Sequence, residues 1–200
     1  MHEQGKYIRI EVADPTPLGL TGLAMVTLVA ASQKLGWTEG LSMVIPWAIF
    51  LGGFAQLMAC VYDFKHNNLF GSTAFGIYGF FWLSVGTAWL IKLGVFGAAL
   101  AQTVDVHQLG FAFLGYLIIS LFITVASFRT NKVLIAIMVL IDVLFLGLMM
   151  SSFEMGEIWH TIAAWSELFI SLLGFYGAGA NLLNKFYGRV MLPVGSPIMK

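Results

Sequence analysis

Charge is scarce in this 200-residue chain, where Asp, Glu, Lys and Arg together fill only 10% of positions, against about a quarter in soluble domains. With 59% hydrophobic residues and a mean hydropathy of +0.88, a water-soluble single domain is excluded. Ten cationic and ten anionic side chains cancel, so no basic field exists to attract a polyanion, and nucleic-acid binding is excluded with it. Cys60 is the one cysteine. Alone it forms no intramolecular disulfide and no CxxC or Cys/His zinc cage, which removes both a disulfide-stapled module and a structural metal site; it reads as a small buried apolar residue. Catalytic signatures are missing too. No HExxH, GxSxG or paired-Asp motif occurs, and Gly52-Gly53 is not followed by a Gly-Lys-Ser/Thr phosphate loop. His2, His66 and His107 fall in polar segments and His160 at the edge of a span, so no pair crosses a bundle centre to ligate haem. Neither an enzyme nor a bound cofactor is expected.

What the chain has in quantity is uninterrupted apolar sequence. A hydrocarbon core about 30 Å thick takes about 20 helical residues, and six stretches of that kind fall at 17–34, 41–62, 73–93, 108–128, 132–152 and 158–183. Val133 to Met150 is apolar on every face apart from Asp142, unlike the alternating strands of a β-barrel. The expected fold is an all-α membrane protein of six transmembrane helices: a polar segment over 1–16, a membrane domain over 17–184 and a tail over 185–200. Arg129, Thr130, Asn131 and Lys132 make a tight turn between the fourth and fifth spans. Lys6, Arg9, Lys65, Arg129, Lys132, Lys185, Arg189 and Lys200 fall on one side of such a bundle, Lys34 and Lys92 on the other. Lysine and arginine are retained on the cytoplasmic side, so both termini are expected in the cytoplasm. The charged first sixteen residues do not resemble a cleavable signal peptide.

Few residues at depth can carry chemistry. Asp142 lies mid-span, where an ionised carboxylate costs about 2.5–3.5 kcal/mol; it reads equally as a proton carrier or as a neutral acid bonded to a neighbouring helix. On the sixth span Glu167, Gly174, Gly177, Asn181 and Asn184 share a narrow stripe. That stripe either lines an aqueous path or lets helices approach closely, and Glu167 could also sit as a solvated charge near the external interface. The third span pairs a smooth face, Gly76, Gly79, Leu83 and Gly86, with an aromatic one, Phe75, Tyr78 and Trp82. The latter suits either core packing or a hydrophobic constriction. No lysine or arginine falls at mid-depth, so an anion would rely on helix N-termini, amides and hydroxyls. The run Asp14-Pro15-Thr16-Pro17-Leu18-Gly19-Leu20 suits that use, with a capping Asp or Thr and a proline in the first turn. These features define a six-span channel or carrier for a small solute, with acid or neutral cargo such as urea or ammonia left open.

The same DPTPLGL run resembles the NPAPLGL signature of the acetate uptake transporter family, which includes bacterial succinate-acetate permeases and fungal acetate and ammonium-export proteins. Gly52-Gly53-Phe54-Ala55-Gln56 is similar to the family's glycine-glycine-x-alanine-glutamine segment. Thr73-Ala74-Phe75 with Tyr78-Gly79 and Phe81-Trp82 resembles TAFxxYGxFW, and Tyr187-Gly188-Arg189 through Leu192-Pro193-Val194-Gly195 resembles FGRxxLPxG. Four motifs in order over most of the chain are specific. The resemblance implies a plasma-membrane homo-hexamer with one pore per protomer for acetate and similar monocarboxylates, sometimes succinate, working as a proton symporter or an anion channel. It further implies a constriction built from Leu23, Tyr78 and Ile141, where the family's phenylalanine and leucine are replaced by Leu23 and Ile141. Substrate contacts are expected from Asp14, Pro15, Pro17, Leu18, Gly19, Gln56, Tyr78, Trp82 and Asn181, and proton-linked roles from Asp142 and Glu167. Asp14 stands where the family carries asparagine, and Asp142 where bacterial relatives carry threonine. Each adds a negative charge that would repel an anion unless it is protonated or turned away.

Overall fold

A computed structural model describes residues 12–199, so His2, Lys6, Arg9 and Lys200 lie outside the described residues. Six helices are long and apolar enough to cross a membrane: α1 Thr16–Lys34, α2 Val44–Lys65, α3 Leu69–Lys92, α4 Val106–Ser127, α5 Lys132–Ser152 and α6 Glu157–Tyr187. One further turn, Ala98–Ala101, interrupts the connection from α3 to α4. There is no strand among the described residues. The shortest helix has 19 residues and the longest 31, or about 28 and 46 Å at 1.5 Å per residue; α1 just matches the hydrocarbon core and α6 overreaches it.

Helix ends follow local chemistry more closely than hydropathy. Asn68 caps α3 by accepting from the Gly71 amide at 3.2 Å, so the helix starts at Leu69 and not at 73. Asn131 caps α5 through the Leu134 amide at 3.0 Å, and Asp105 caps α4 through the His107 amide at 2.9 Å. The second span runs three residues later than expected at both ends, because Leu41 to Met43 form a turn that hands over to the helix through Val44 N to Leu41 O at 3.0 Å. The polar residues Asn184 and Lys185 do not end α6. It continues to Tyr187 and stops at Gly188, whose left-handed backbone (φ 63°) terminates the helix.

Inside α2, Ala48–Ala55 forms a π-helical segment spanning Gly52 and Gly53. Such widened turns are rare in helices generally. Here the two glycines admit α3 closely, Gly52 lying against Trp82 and Gly53 against Leu83. The smooth face of α3 meets α2 as its spacing suggests, with Gly76 under Cys60 and Gly86 beside Ile49. α1 and α6 pack as tightly: a Cβ on Gly174 would stand 3.0 Å from the Ala24 methyl, and Ser171 Oγ donates to Ala24 O at 2.8 Å. Gly147 of α5 abuts Ala163 of α6.

The six helices close a ring in the order α3, α2, α1, α6, α5, α4, with α4 returning to α3. Phe50, Phe54, Phe80, Phe122 and Phe169 stay on the outside, facing what lipid or a neighbouring chain would cover. Residues 12–15 and the tail share one end of the bundle, where Asp14 pairs with Lys185, His66 Nε2 meets Ala13 O at 3.0 Å and Ile198 N donates to Phe128 O at 3.0 Å.

Candidate functional site

Among the described residues, three voids inside the ring share lining residues and so run end to end. The terminal-side chamber, about 50 Å³, is walled by Thr16, Leu20, Leu23, Gln56, Phe75 and Tyr78 among others. Leu23 and Tyr78 also line a middle void of about 10 Å³, together with Thr27, Phe81, Trp82, Ile141 and Phe145. Phe81 and Trp82 then continue into a far chamber of about 90 Å³, which is lined by Lys34, Trp89, Phe113 and Glu167. A water needs roughly 10–15 Å³ of such space. The middle void therefore admits one water at most, while either chamber holds a solute of a few heavy atoms. The conduit is closed at its waist.

Leu23, Tyr78 and Ile141 come from α1, α3 and α5, and the structure brings all three to that waist. Tyr78 is held there from behind. Its hydroxyl lies 2.9 Å from Ser120 Oγ on α4, and its ring packs tilted on Phe145 with centroids 6.1 Å apart. Phe81 is clamped edge-on by Tyr116 at 5.0 Å and by Phe145 at 5.1 Å. Trp82 faces both the waist and the far chamber.

Gln56 is 0% exposed. Placed on the first turn after the π segment, its Nε2 donates to Gly52 O at 2.9 Å, while Oε1 has no partner. A buried carbonyl oxygen left in this way costs about 1–3 kcal/mol, and any donor that reaches it, a water included, would satisfy it. The O–H of a carboxylic acid does so; a carboxylate does not.

Other sequence expectations are corrected. The start of α1 is not a vacant anion cradle, because Asp14 Oδ1 already accepts from Thr16 N at 2.9 Å and from Thr16 Oγ at 2.6 Å. Pro17 has no amide hydrogen, and Gly19 N bonds to Pro15 O at 3.1 Å. The chain's own carboxylate occupies the site. Burial pushes the Asp14 carboxyl up, but the Lys185 and Thr16 hydrogen bonds outweigh it and hold the group below the usual carboxylate range. Asp14 is therefore ionised yet neutralised by Lys185, which removes the expected repulsion. Of the neighbouring residues, Leu18 is exposed and Gly19 is covered by the Phe75 ring; neither these nor Pro15 and Pro17 line the terminal-side chamber, whereas Thr16 does.

The stripe on α6 divides. Gly174 and Gly177 pack on Ala24 and Leu20 of α1. Asn181 Nδ2 turns back to Gly177 O at 2.8 Å and lines none of the three voids. Asn184 holds the tail, donating to Leu192 O at 2.8 Å and accepting from Met191 N at 2.6 Å and Leu192 N at 3.0 Å. Tyr176 adds a bond to Pro193 O at 2.7 Å, so Asn184 and Tyr176 fasten the tail.

Asp142 also turns away from the conduit. Its Oδ2 accepts from Thr124 Oγ1 of α4 at 2.7 Å, one helical turn from Ser120, and it lines none of the voids. Glu167 is not a solvated interfacial charge: it is 1% exposed and accepts from Lys34 Nζ at 2.8 Å. The expectation that the anion path lacks a cation fails with it, since Lys34 closes α1 yet reaches the far chamber. Spacing along the sequence holds no signal for a pair 133 residues apart. No cluster of three or more metal-ligating side chains exists among the described residues.

The chain matches the GPR1/FUN34/yaaH family over residues 3–196. It is 32% identical over 186 residues to the succinate-acetate/proton symporter SatP of Escherichia coli K12, which covers 92% of this chain and 96% of that protein. It is 30% identical over 185 residues to ammonia transport outward protein 2 of Saccharomyces cerevisiae, covering 90% of this chain and 65% of that one. Among solved structures, the bacterial acetate channel SatP superposes with a TM-score of 0.85 at 30% identity, over 92% of this chain and 100% of that one.

Proposed function

Because this chain belongs to the GPR1/FUN34/yaaH family, we propose that it carries acetate and similar small monocarboxylates, with succinate as a further cargo, across the membrane it spans, by proton-coupled symport or anion channelling. The observation that carries this reading is the pair of solute-sized chambers joined at a greasy waist, in a chain that superposes on an acetate channel at a TM-score of 0.85. The membrane is the plasma membrane, with both chain ends in the cytoplasm, and the assembly is a homo-hexamer with one conduit per protomer. The polar segment over 1–16 and the tail over 185–200 flank the transport domain over 17–184. The protein performs no catalysis.

The waist sets the chemical form of the cargo. An isolated carboxylate moved into an apolar site costs far more than a neutral polar group. Leu23, Tyr78 and Ile141 offer no cation, so the acid crosses with its proton. Gln56 Oε1 takes the acid O–H in the terminal-side chamber, and Tyr78 and Trp82 bound the passage. Gly19 acts indirectly by letting α1 seat against Phe75, and Asp14 ties the start of α1 to Lys185.

Reconstituted protein will take up radiolabelled acetate faster when the outside is acidic, and a protonophore will abolish the acceleration. Vesicles that swell in urea while admitting no acetate would overturn the reading in favour of a neutral-solute channel.

A further inference from the structure

We infer that the Lys34–Glu167 pair in the far chamber is a second carboxylate site of the conduit, where a small organic acid replaces the Glu167 carboxylate on the Lys34 ammonium as its proton passes to Glu167. This rests on the acetate reading above and specifies where proton and acid are handled together.

The geometry supplies the parts. Lys34 Nζ donates to Glu167 Oε2 at 2.8 Å, with side chains 12% and 1% exposed. An ammonium has three donors, and Glu167 is the one hydrogen-bond partner of this group among the described residues. Both residues line the chamber of about 90 Å³, whose remaining wall is largely aromatic and aliphatic, with Phe81, Trp82, Trp89 and Phe113 prominent. A short acid fits with its carboxyl group toward Lys34 and its alkyl group against the rings.

Packing does not require the pair. α1 and α6 are already locked by Gly174 against Ala24 and Gly177 against Leu20. Buried ion pairs repay their desolvation poorly, and replacing them with apolar residues is often neutral or stabilising. A charge pair retained on a conduit wall is better accounted for by exchange with a charged cargo.

Charge balance then dictates the step. The resting pair is neutral, so an added carboxylate would leave one net negative charge in an apolar chamber. A protonated acid leaves none. The incoming O–H bond breaks, its proton joins a Glu167 oxygen, and the freed carboxylate takes the Lys34 hydrogen bond; one ammonium, one carboxylate and one carboxylic acid stand before and after. Two carboxyl groups facing one ammonium cannot both ionise cheaply, which ties one proton to each acid bound.

Other titratable groups do not line this chamber: Glu39 and Lys92 are exposed, and His107 Nδ1 lies 3.0 Å from Asp105 Oδ1. On α5, Asp142 is bonded to Thr124. On α4, Tyr116 stacks on Phe145 with centroids 5.5 Å apart. On α6, His160 lies with Glu154 and Glu157 in a separate surface depression.

The test compares wild type, Glu167→Gln, Lys34→Arg and the neutral double variant Lys34→Gln/Glu167→Gln, the last avoiding an unpaired buried charge. Each is reconstituted in phosphatidylethanolamine–phosphatidylglycerol vesicles for acetate uptake across external pH. Each is also titrated with acetate in detergent while tryptophan emission is read, since Trp82 and Trp89 wall the chamber. In wild type the half-saturating acetate concentration falls as pH falls. Glu167→Gln is expected to bind acetate several-fold more tightly with its pH dependence flattened, Lys34→Arg to keep both properties, and the double variant to need at least tenfold more acetate and lose the emission change. A double variant that elutes as wild type on size exclusion and keeps the wild-type half-saturation, pH profile and emission change overturns the site while leaving acetate transport intact. If wild type moves no acetate, the function proposed above fails, and the emission titration still decides whether the pair binds it.

Discussion

Tyr78 divides its work between hydroxyl and ring. The hydroxyl ties α3 to Ser120 of α4 at 2.9 Å, and the ring forms one side of the waist. Tyr78→Phe is expected to cost about 1 kcal/mol, the net worth of one hydrogen bond, seen as a lower thermal midpoint in detergent, with cargo selectivity kept. Tyr78→Ala opens the waist, so propionate and lactate will compete more strongly for acetate uptake; unchanged competition would place the selective step elsewhere. Asp14 gives a separate acid-limb prediction. Its folded pKa lies below the ordinary 3.8, so the stability it lends is fully present above that value and is lost as pH falls through the folded pKa. Lys185 is 60% exposed, which limits the tie to less than about 1 kcal/mol after solvent screening. Asp14→Asn should lower the thermal midpoint slightly at pH 7, with the gap to wild type closing on acidification below pH 4. The meeting of Leu23, Tyr78 and Ile141 was legible through the family resemblance, because motif positions carry register with them. The Lys34–Glu167 pair was not, since each residue alone reads as an ordinary charge at a span's edge.

α2 and α3 show how a helix pair is specified by what it leaves out. A Cβ on Gly52 would come within 2.7 Å of Trp82 Cγ and 2.8 Å of its Cβ. The Cβ is fixed to the α3 backbone and cannot swing aside. Gly52→Ala should therefore force α2 and α3 apart at a cost of about 1–3 kcal/mol, measurable as a reduced thermal midpoint, and should also disturb the Trp82 wall shared by waist and far chamber. Span number and approximate position were legible from apolar run length, and the glycine face of α3 from its spacing. The π segment over Ala48–Ala55 was not, because its widened turn reflects the fit of α2 against α1 and α3, which local hydropathy does not encode. The polar stripe of α6 misled for a related reason: periodicity marks which residues share a face, and the neighbouring element decides what that face meets. For Asn184 the neighbour is the tail itself.

Considered together, the six helices make a closed ring around a conduit blocked at its centre, so transport requires the waist to widen. The exposed outer aromatics Phe50, Phe54 and Phe80 give a broad apolar surface for lipid or for sister protomers. Native mass spectrometry of the detergent-extracted protein is expected to report a particle about six times the 21.9 kDa chain; a monomer at every protein concentration would refute the hexamer. Residence in lipid, an all-helical architecture and six crossings follow from composition and run length alone, because a bilayer leaves a backbone only helices or a closed barrel, and runs apolar on every face are not the alternating strands of a barrel. The sequence motifs add the family. Folding settles which polar groups face the conduit, because it decides which partner each one finds in space, from four residues away to 133. It turns Asp142 toward Thr124 and Asn181 toward its own helix, and it sets Lys34 beside Glu167, since a buried charge lowers its energy by finding a partner in space, however distant along the chain.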